Sequence, residues 1–122
     1  MTISFGIRNV PDRGAALREM SRVVKRDGRV GILEFAEPTE GFLAPAASFF
    51  VHNVVPLAGA VLSGKYDEYM HLHRSIAAFP TPPEWANIMR DNGLFLVAPP
   101  RAMPLTFGAV MLYVAEPAPK SE

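Results

Sequence analysis

Two charged side chains and one amide follow short apolar runs of the chain. Arg8 and Asn9 come at the end of the run at residues 2–7, and Glu34 lies near the end of a second run at residues 29–35. The carboxyl ends of parallel strands meet at one edge of a sheet, where ligands bind. We therefore expect Arg8 and Glu34 to meet there. The pair is either a structural ion pair that joins two loops or a polar cluster that faces a substrate, and both readings stay open.

Metal and thiol chemistry have little support in the sequence. His71 and His73 stand two residues apart, so they would point to different sides of a helix, and no third ligand is nearby. The chain has no cysteine, which excludes disulfides, thiolate metal sites and a cysteine nucleophile. We predict no metal site.

The elements around Arg8 and Glu34 form a strand, a helix and a strand. The run at residues 2–7 is rich in β-branched and aromatic residues, which suits a short interior strand. Pro11 fits the first helical position, and the apolar spacing predicts a helix over residues 11–26. Residues 29–35 form the next strand. A strand–helix–strand unit of this length predicts a right-handed crossover between parallel strands.

Residues 41–64 carry no formal charge. Their length would allow a membrane span, but Pro45 and Pro56 interrupt the run, and His52 and Asn53 near its middle would have no partners in hydrocarbon. The sequence favours a core helix that is broken near Pro56. Its apolar side would hold Phe42, Leu43, Ala46, Phe49, Phe50, Val54 and Leu57.

The rest of the chain predicts two helices and two strands. Residues 66–78 read as a helix, and the capping-box spacing of Thr81 and Glu84 begins another, which Asn92 and Gly93 end. Leu94 to Ala98 and Leu105 to Ala115 read as antiparallel neighbours. Residues 117–122 read as a disordered tail. The prediction is an α/β protein with a mixed sheet and flanking helices.

Length and charge narrow the classes of protein. The 122 residues predict one domain, and the twelve basic and twelve acidic side chains cancel. A balanced charge gives no support for nucleic acid or an acidic substrate as a partner. The amino terminus shows no basic region followed by an apolar run, so no secretory signal is predicted. We expect a cytoplasmic location.

Several motifs resemble those of the ubiquinone/menaquinone biosynthesis C-methyltransferases. The most specific is Ser-Phe-Gly-Ile-Arg-Asn-Val-Pro-Asp at residues 4–12. Leu-Glu-Phe-Ala-Glu-Pro at residues 33–38 continues it, as do residues 69–76 and Asn-Gly-Leu-Phe at residues 92–95. The resemblance implies the carboxy-terminal half of a class I, Rossmann-like, seven-strand methyltransferase fold. Residues 1–116 would form a partial domain that begins at the family's fourth strand.

The resemblance also implies a cofactor and roles for single residues. The family uses S-adenosylmethionine, and Ser4 matches a serine associated with binding it. Arg8 and Asn9 match a catalytic pair beside the quinol ring, where the arginine helps a water or a phenol to remove the ring proton. The family's glycine-rich cofactor turn has no match in this chain, so binding of the cofactor by this chain alone is in doubt.

The substrate implied by the resemblance is a polyprenyl quinol or a related phenol. Glu34, Phe49 and Tyr69 are the predicted substrate-binding residues, and the uncharged segment 41–64 would form an apolar wall for the isoprenoid tail, with peripheral membrane contact. His71, Tyr113 and Asp27 depart from the family's tyrosine, histidine and glycine. These departures put the specificity for a quinol in question.

Three functional hypotheses follow. The first is an S-adenosylmethionine-dependent C-methyltransferase of polyprenyl quinols, present as a truncated half that is inactive alone. The second is a non-enzymatic remnant that binds a quinone or a partner. It would form a homodimer, or pair with a complementing chain, through the edge of its first strand. The third is a chain truncated at an internal methionine, Met1.

Overall fold

The computed structural model describes residues 1–36, 44–49, 53–54, 57–58, 61, 64, 66–97, 102–105 and 108–119, with the side chains of residues 44, 47, 48, 66 and 69 outside the description. Five strands are described: β1 (Thr2–Ser4), β2 (Val30–Phe35), β3 (Leu94–Leu96), β4 (Ala102–Leu105) and β5 (Val110–Pro117). The described helices are α1 (Arg13–Val23), α2 (Ala44–Phe49), α3 (Tyr66–Ala77) and α4 (Pro82–Asp91), with a 3-10 turn at Ile7–Asn9.

The strands form one mixed sheet in the order β1-β2-β5-β3, and β4 also pairs with β5. β1 runs parallel to β2, with Ile3 opposite Ile32. β5 runs antiparallel to β2, β3 and β4. The mixed sheet and its parallel first pair were predicted from the sequence and are confirmed. They are consistent with part of a class I methyltransferase fold.

The core lies against one face of the sheet. Alternate residues of β2 and β5 are buried, as a half-covered strand requires. α1 and α4 cover that face, and their fully buried side chains are Leu17 from α1 and Trp85 and Met89 from α4. Ring centroids of Trp85 and Phe79 lie 4.8 Å apart, which extends the packing to the end of α3. This core holds β2, the strand that carries Glu34, in place.

The first strand is shorter than the sequence predicted. β1 ends at Ser4 because Phe5 adopts a positive φ of 53°, and Ile7 lies in the 3-10 turn and not in a strand. The composition of the run was read as that of an interior strand, with an unpaired edge in this chain; β1 does lie at the edge of the sheet, and Thr2 and Ser4 are exposed.

Helix α1 begins two residues later than predicted. Asp12 is the N-cap, and its side-chain oxygen accepts a hydrogen bond of 2.8 Å from the Ala15 backbone N–H, so Pro11 lies outside the helix. At the other end the chain turns extended at Val24. The start of α4 was predicted correctly: Glu84 accepts hydrogen bonds from the Thr81 backbone N–H and hydroxyl at 2.8 and 2.7 Å.

The carboxy-terminal strands differ most from the prediction. Residues 105–115 are not one strand: Leu105 ends β4, and β5 begins at Val110 after Gly108, whose φ is 85°. β4 was missed because Pro104 reads as loop, yet a proline is tolerated in an edge strand, where its missing N–H is not needed. β5 includes Pro117, the first residue of the predicted tail, while residues 120–122 lie outside the described part.

The prediction of a buried helix in segment 41–64 was wrong for the side chains that are described. Phe49 is 65% exposed and Leu57 67%, and Val54 and Val61 are exposed as well. Phe42, Leu43 and Phe50 lie outside the described residues. Among the helices that are described, none is long and apolar enough to cross a bilayer.

Candidate functional site

The site is built where β1 turns back towards β2. The Phe5 backbone N–H donates to the Leu33 carbonyl at 2.8 Å, so parallel pairing continues one residue beyond β1. The left-handed Phe5 and the 3-10 turn then reverse the chain, and Ile7, with no exposed surface, anchors the turn in the core. The turn places Arg8 beside the last residues of β2.

The Arg8 guanidinium is fixed by contacts on several sides. Its Nη1 donates to Glu34 Oε1 at 2.6 Å and to the Phe5 carbonyl at 3.0 Å. Its Nε donates to the Ser75 hydroxyl on α3 at 3.3 Å. The guanidinium carbon lies 5.3 Å from the centroid of the Phe35 ring, within cation–π range. Its orientation is therefore set by three elements of the fold.

Glu34 is the buried charged residue of the described core, with no exposed surface. Its Oε1 accepts from Arg8 Nη1 and from the Phe35 backbone N–H at 3.0 Å, and its Oε2 accepts from the Arg8 backbone N–H at 3.3 Å. A buried carboxylate is stable only when it is paired and hydrogen-bonded, and Glu34 meets both conditions. The predicted meeting of Arg8 and Glu34 is confirmed.

Arg13 continues this cluster. Its Nη2 donates to the Arg8 carbonyl at 2.8 Å, and its guanidinium lies 5.2 Å from the centroid of the Phe79 ring. The Nε of Arg13 and the indole N–H of Trp85 are buried without a hydrogen-bond partner among the described residues. A second cation thus contacts the backbone of the turn that carries Arg8.

Tyr113 lies on the same buried face of the sheet as Glu34. It stands opposite Ile32 on β2, and Glu34 stands opposite Met111, two residues along β5. Its side chain is nearly fully buried, and its hydroxyl has no partner among the described residues. Burial, and secondly the charge of Glu34, raise the pKa of Tyr113 to about 12. The hydroxyl is therefore a neutral donor at neutral pH.

The other predicted site residues are not brought to this cluster by any described contact. Ser4 and Asn9 are exposed, at the end of β1 and of the 3-10 turn. Phe49 is exposed on α2, and the side chain of Tyr69, on α3, lies outside the description. Their proposed roles stay predictions. In the described part of the chain, no three histidine, aspartate or glutamate side chains form a group that could hold a metal ion.

Sequence reasoning missed three members of the cluster: Ser75, Phe35 and Arg13. Ser75 and Phe35 both lie within the resembling motifs, but nothing in their spacing linked them to Arg8. Tyr113 had been noted only as a departure from the family's pattern. The pairing of β2 with β5, which brings it beside Glu34, was not part of the predicted topology.

Comparison with known proteins gives a family match over most of the chain. The sequence model of the ubiE/COQ5 methyltransferase family matches residues 1–116. The ubiquinone/menaquinone biosynthesis C-methyltransferase UbiE of Rickettsia prowazekii (strain Madrid E) is 39% identical over 92 residues, which are 75% of this chain and 37% of that protein.

Two further relatives agree. The demethylmenaquinone methyltransferase of Alkalihalophilus pseudofirmus is 41% identical over 93 residues, covering 76% of this chain and 39% of the relative. The UbiE protein of Bdellovibrio bacteriovorus is 36% identical over 94 residues, covering 77% and 40%. The matched region is thus about two fifths of the length of these curated relatives. The extent of the family match shows that this chain belongs to the ubiE/COQ5 methyltransferase family.

Proposed function

We propose that this chain supplies the quinol-facing part of a C-methyltransferase that acts on a polyprenyl quinol, a precursor of ubiquinone or menaquinone. The observation that supports the proposal is the Arg8 guanidinium, whose side chain is only 10% exposed and is fixed by Glu34, Phe5 and Ser75. Within the described residues its Nη2 donates to no protein acceptor. Nη2 is thus the donor proposed to reach a substrate oxygen.

The role proposed for Arg8 is to stabilise the negative charge that develops on the ring oxygen. In a C-methylation the ring carbon would gain a methyl group and give up its proton, which would pass to a water molecule. As the C–H electron pair returns to the ring, the ring oxygen would recover phenolate charge. A guanidinium stays protonated and is held in place before the reaction, so Arg8 stabilises this charge without reorganisation. Asn9, next to it, is the proposed second contact to the ring.

S-Adenosylmethionine, which supplies the methyl group when bound, does not fit the described residues by themselves. After β1 the chain passes through Phe5 and Gly6 into the 3-10 turn, and Ile7 there is packed into the core. No described strand leads into a glycine-rich turn at the start of a helix, the feature that approaches such a cofactor. Ser4 is the one residue of this chain predicted to contact the cofactor.

The proposal is tested in a chimera. Residues 1–116 replace the aligned segment of the Alkalihalophilus demethylmenaquinone methyltransferase, and methylation of a short-chain demethylmenaquinol is followed by mass spectrometry. We expect the chimera to methylate the quinol. Arg8→Gln in the chimera should lower kcat by roughly 100-fold or more, the size of effect seen when one oxyanion donor is removed.

Arg22→Gln is the matched control. Arg22 is also paired with a glutamate at 2.6 Å, but both side chains are exposed on α1, so the turnover of the Arg22→Gln chimera should not change. A folded chimera in which Arg8→Gln and Arg22→Gln have the same turnover would remove Arg8 from the mechanism. A folded chimera with no methylation would reject the proposed function itself.

A second candidate function is partner binding through the edge of β1. The Gly31 N–H donates to the Met1 carbonyl and the Phe5 N–H to the Leu33 carbonyl, so alternate residues of β1 face β2. The backbone groups of Thr2 and Ser4 then face outward, and such an edge is a template for another strand. Light scattering tests a homodimer or a complementing chain at this edge: a monomer over the whole concentration range would count against the homodimer.

The exposed apolar residues of segment 41–64 support contact with a prenyl tail or a membrane surface. Phe49 and Leu57 each expose about two thirds of their surface, and the segment holds no charge. Flotation with neutral phosphatidylcholine vesicles tests this. We expect the wild-type chain to float with the vesicles and a Phe49→Ser, Leu57→Ser variant to stay in the aqueous fraction.

A further inference from the structure

Phe5 is an aromatic residue in a backbone conformation that suits glycine. Its φ is 53°, and in the described part of the chain no other residue except glycine has a positive φ. The glycine that follows, Gly6, has an ordinary φ of −120°. A bulky side chain at a positive φ costs free energy, and such residues are concentrated at active sites and ligand-binding sites. Phenylalanine at this position therefore needs a reason other than backbone stability.

The left-handed turn directs two groups of Phe5 towards the Arg8 cluster. The Phe5 carbonyl accepts a hydrogen bond of 3.0 Å from Arg8 Nη1. The Phe5 ring packs against the ring of Phe35, with the two centroids 4.6 Å apart and the planes tilted by 35°. The Arg8 guanidinium carbon lies 5.3 Å from the centroid of the same Phe35 ring. The two aromatic rings and the cation therefore form one continuous group.

Phe5 is accessible from outside, unlike the charged groups beside it. It is 38% exposed, whereas Glu34 has no exposed surface and the Arg8 side chain is 10% exposed. A planar molecule can therefore lie on the Phe5 ring without entering the core. Single exposed apolar residues are common on protein surfaces. Phe5 differs from them because its backbone is strained and its carbonyl holds the cation.

We infer that the exposed part of the Phe5 ring is the surface on which the aromatic ring of the quinol stacks, so that Phe5 is a substrate-binding residue. The inference rests on the proposed function and deepens it, because it names the part of the substrate that this residue recognises. Stacking there would bring the ring oxygen towards Arg8, whose Nη1 is bonded to the Phe5 carbonyl. Two aromatic rings attract each other beyond the apolar area they bury, so the surface should prefer a planar aromatic ligand to a saturated one.

Nuclear magnetic resonance tests the inference with methylhydroquinone as the probe, added under argon to the wild-type chain. Cyclohexanediol is the matched ligand, since it carries two hydroxyl groups on a saturated ring. We expect methylhydroquinone to bind about fivefold more tightly than the diol, the size of effect that an aromatic pair supplies. The ring protons of the bound probe should shift upfield, because they would lie over the face of an aromatic ring.

Variants of Phe5 separate the aromatic ring from apolar bulk. Phe5→Leu keeps an apolar side chain but removes the ring, so it should weaken methylhydroquinone binding about fivefold and leave binding of the diol unchanged. Phe5→Tyr restores a ring and should bind the probe within about twofold of the wild type. Phe95→Leu is the matched control: Phe95 is 44% exposed but lies on β3, at the opposite edge of the sheet from β1, so the variant should bind like the wild type.

Several results would overturn the inference. The first is the absence of methylhydroquinone binding, or equal binding of the probe and the diol, by the wild-type chain, a result that does not depend on the folding of any variant. The second is equal binding of the probe by Phe5→Leu and the wild type, or an equal loss in Phe95→Leu. The third is a loss of geraniol binding in Phe5→Leu as large as the loss of methylhydroquinone, which would make Phe5 a contact for the prenyl tail.

The chimera distinguishes failure of this inference from failure of the proposed function. Methylation by the chimera together with any of these results would reject the role of Phe5 and keep the proposed function. A folded chimera that does not methylate the quinol would reject the proposed function, whatever the wild-type chain binds.

Discussion

Arg8→Leu removes the cation from a carboxylate that has no exposed surface. Glu34 would keep only its hydrogen bonds from the backbone N–H groups of Phe35 and Arg8, at 3.0 and 3.3 Å. Removing one partner of a buried ion pair costs about 3–5 kcal/mol, because the remaining charge stays desolvated and unpaired. Domains of this size have unfolding free energies of about 5–15 kcal/mol, so the variant should approach the limit of stability.

A surface pair of the same length supplies the comparison. Arg22 Nη2 and Glu19 Oε1 are also 2.6 Å apart, but the two side chains are 70% and 60% exposed. Exposed pairs contribute about 0–1 kcal/mol because water and salt screen them. Arg22→Leu should therefore change the unfolding free energy by less than about 1 kcal/mol.

Urea unfolding measures both variants, with Trp85 as the reporter: it is the one tryptophan of the chain and is fully buried. The double variant Arg8→Leu, Glu34→Leu should recover most of the stability lost in Arg8→Leu, since neither charge then remains in the core. If Arg8→Leu lowers the unfolding free energy no more than Arg22→Leu does, burial does not make the loss of a partner more costly and the reasoning is wrong. If the double variant is less stable than Arg8→Leu, the desolvation argument fails.

Four further variants test local features. Asp12→Ala removes the N-cap acceptor of α1 and should lower the unfolding free energy by about 1 kcal/mol in urea denaturation. Gly93→Ala forces an L residue to a φ of 86° and should cost about 1–2 kcal/mol, whereas Gly31→Ala, whose new methyl meets one atom at 3.5 Å, should change stability by less than about 0.5 kcal/mol. The raised pKa of Tyr113 stabilises the folded chain fully below pH 10, and this stabilisation is lost as pH rises through about 12. Urea titrations across this range should show the loss in the wild type and not in Tyr113→Phe.

The pairing of Arg8 with Glu34 was predictable because it depends on topology. Two strands joined by one helix must run parallel, and residues after parallel strands meet at one edge. The capping of α4 by Glu84 was equally predictable, because a cap depends on residues three apart. Rules of topology thus predicted the pairing of Arg8 with Glu34, and a local rule predicted the start of α4.

The rest depended on contacts that no local rule contains. Ser75 reaches Arg8 across 67 residues of chain, and Tyr113 joins Glu34 only through the register of β5 against β2. The early end of β1 depends on the positive φ of Phe5, which an aromatic residue seldom adopts and which the sequence does not signal. Phe49 was placed in a core because apolar side chains are usually buried, but here it faces outward.

The position of β5 has a consequence for how the chain acquires its structure during synthesis. β5 is the last described strand to leave the ribosome, yet β2, β3 and β4 all pair with it, and β1 with β2 is the one described strand pairing that forms without it. Until Val110–Pro117 has emerged, β3 and β4 have no strand to pair with, and β2 lacks one of its two neighbours. Most of the pairings also join residues that are far apart in the sequence, and such pairings slow folding. A nascent chain stalled shortly before Val110 should therefore be a target for chaperones and proteases.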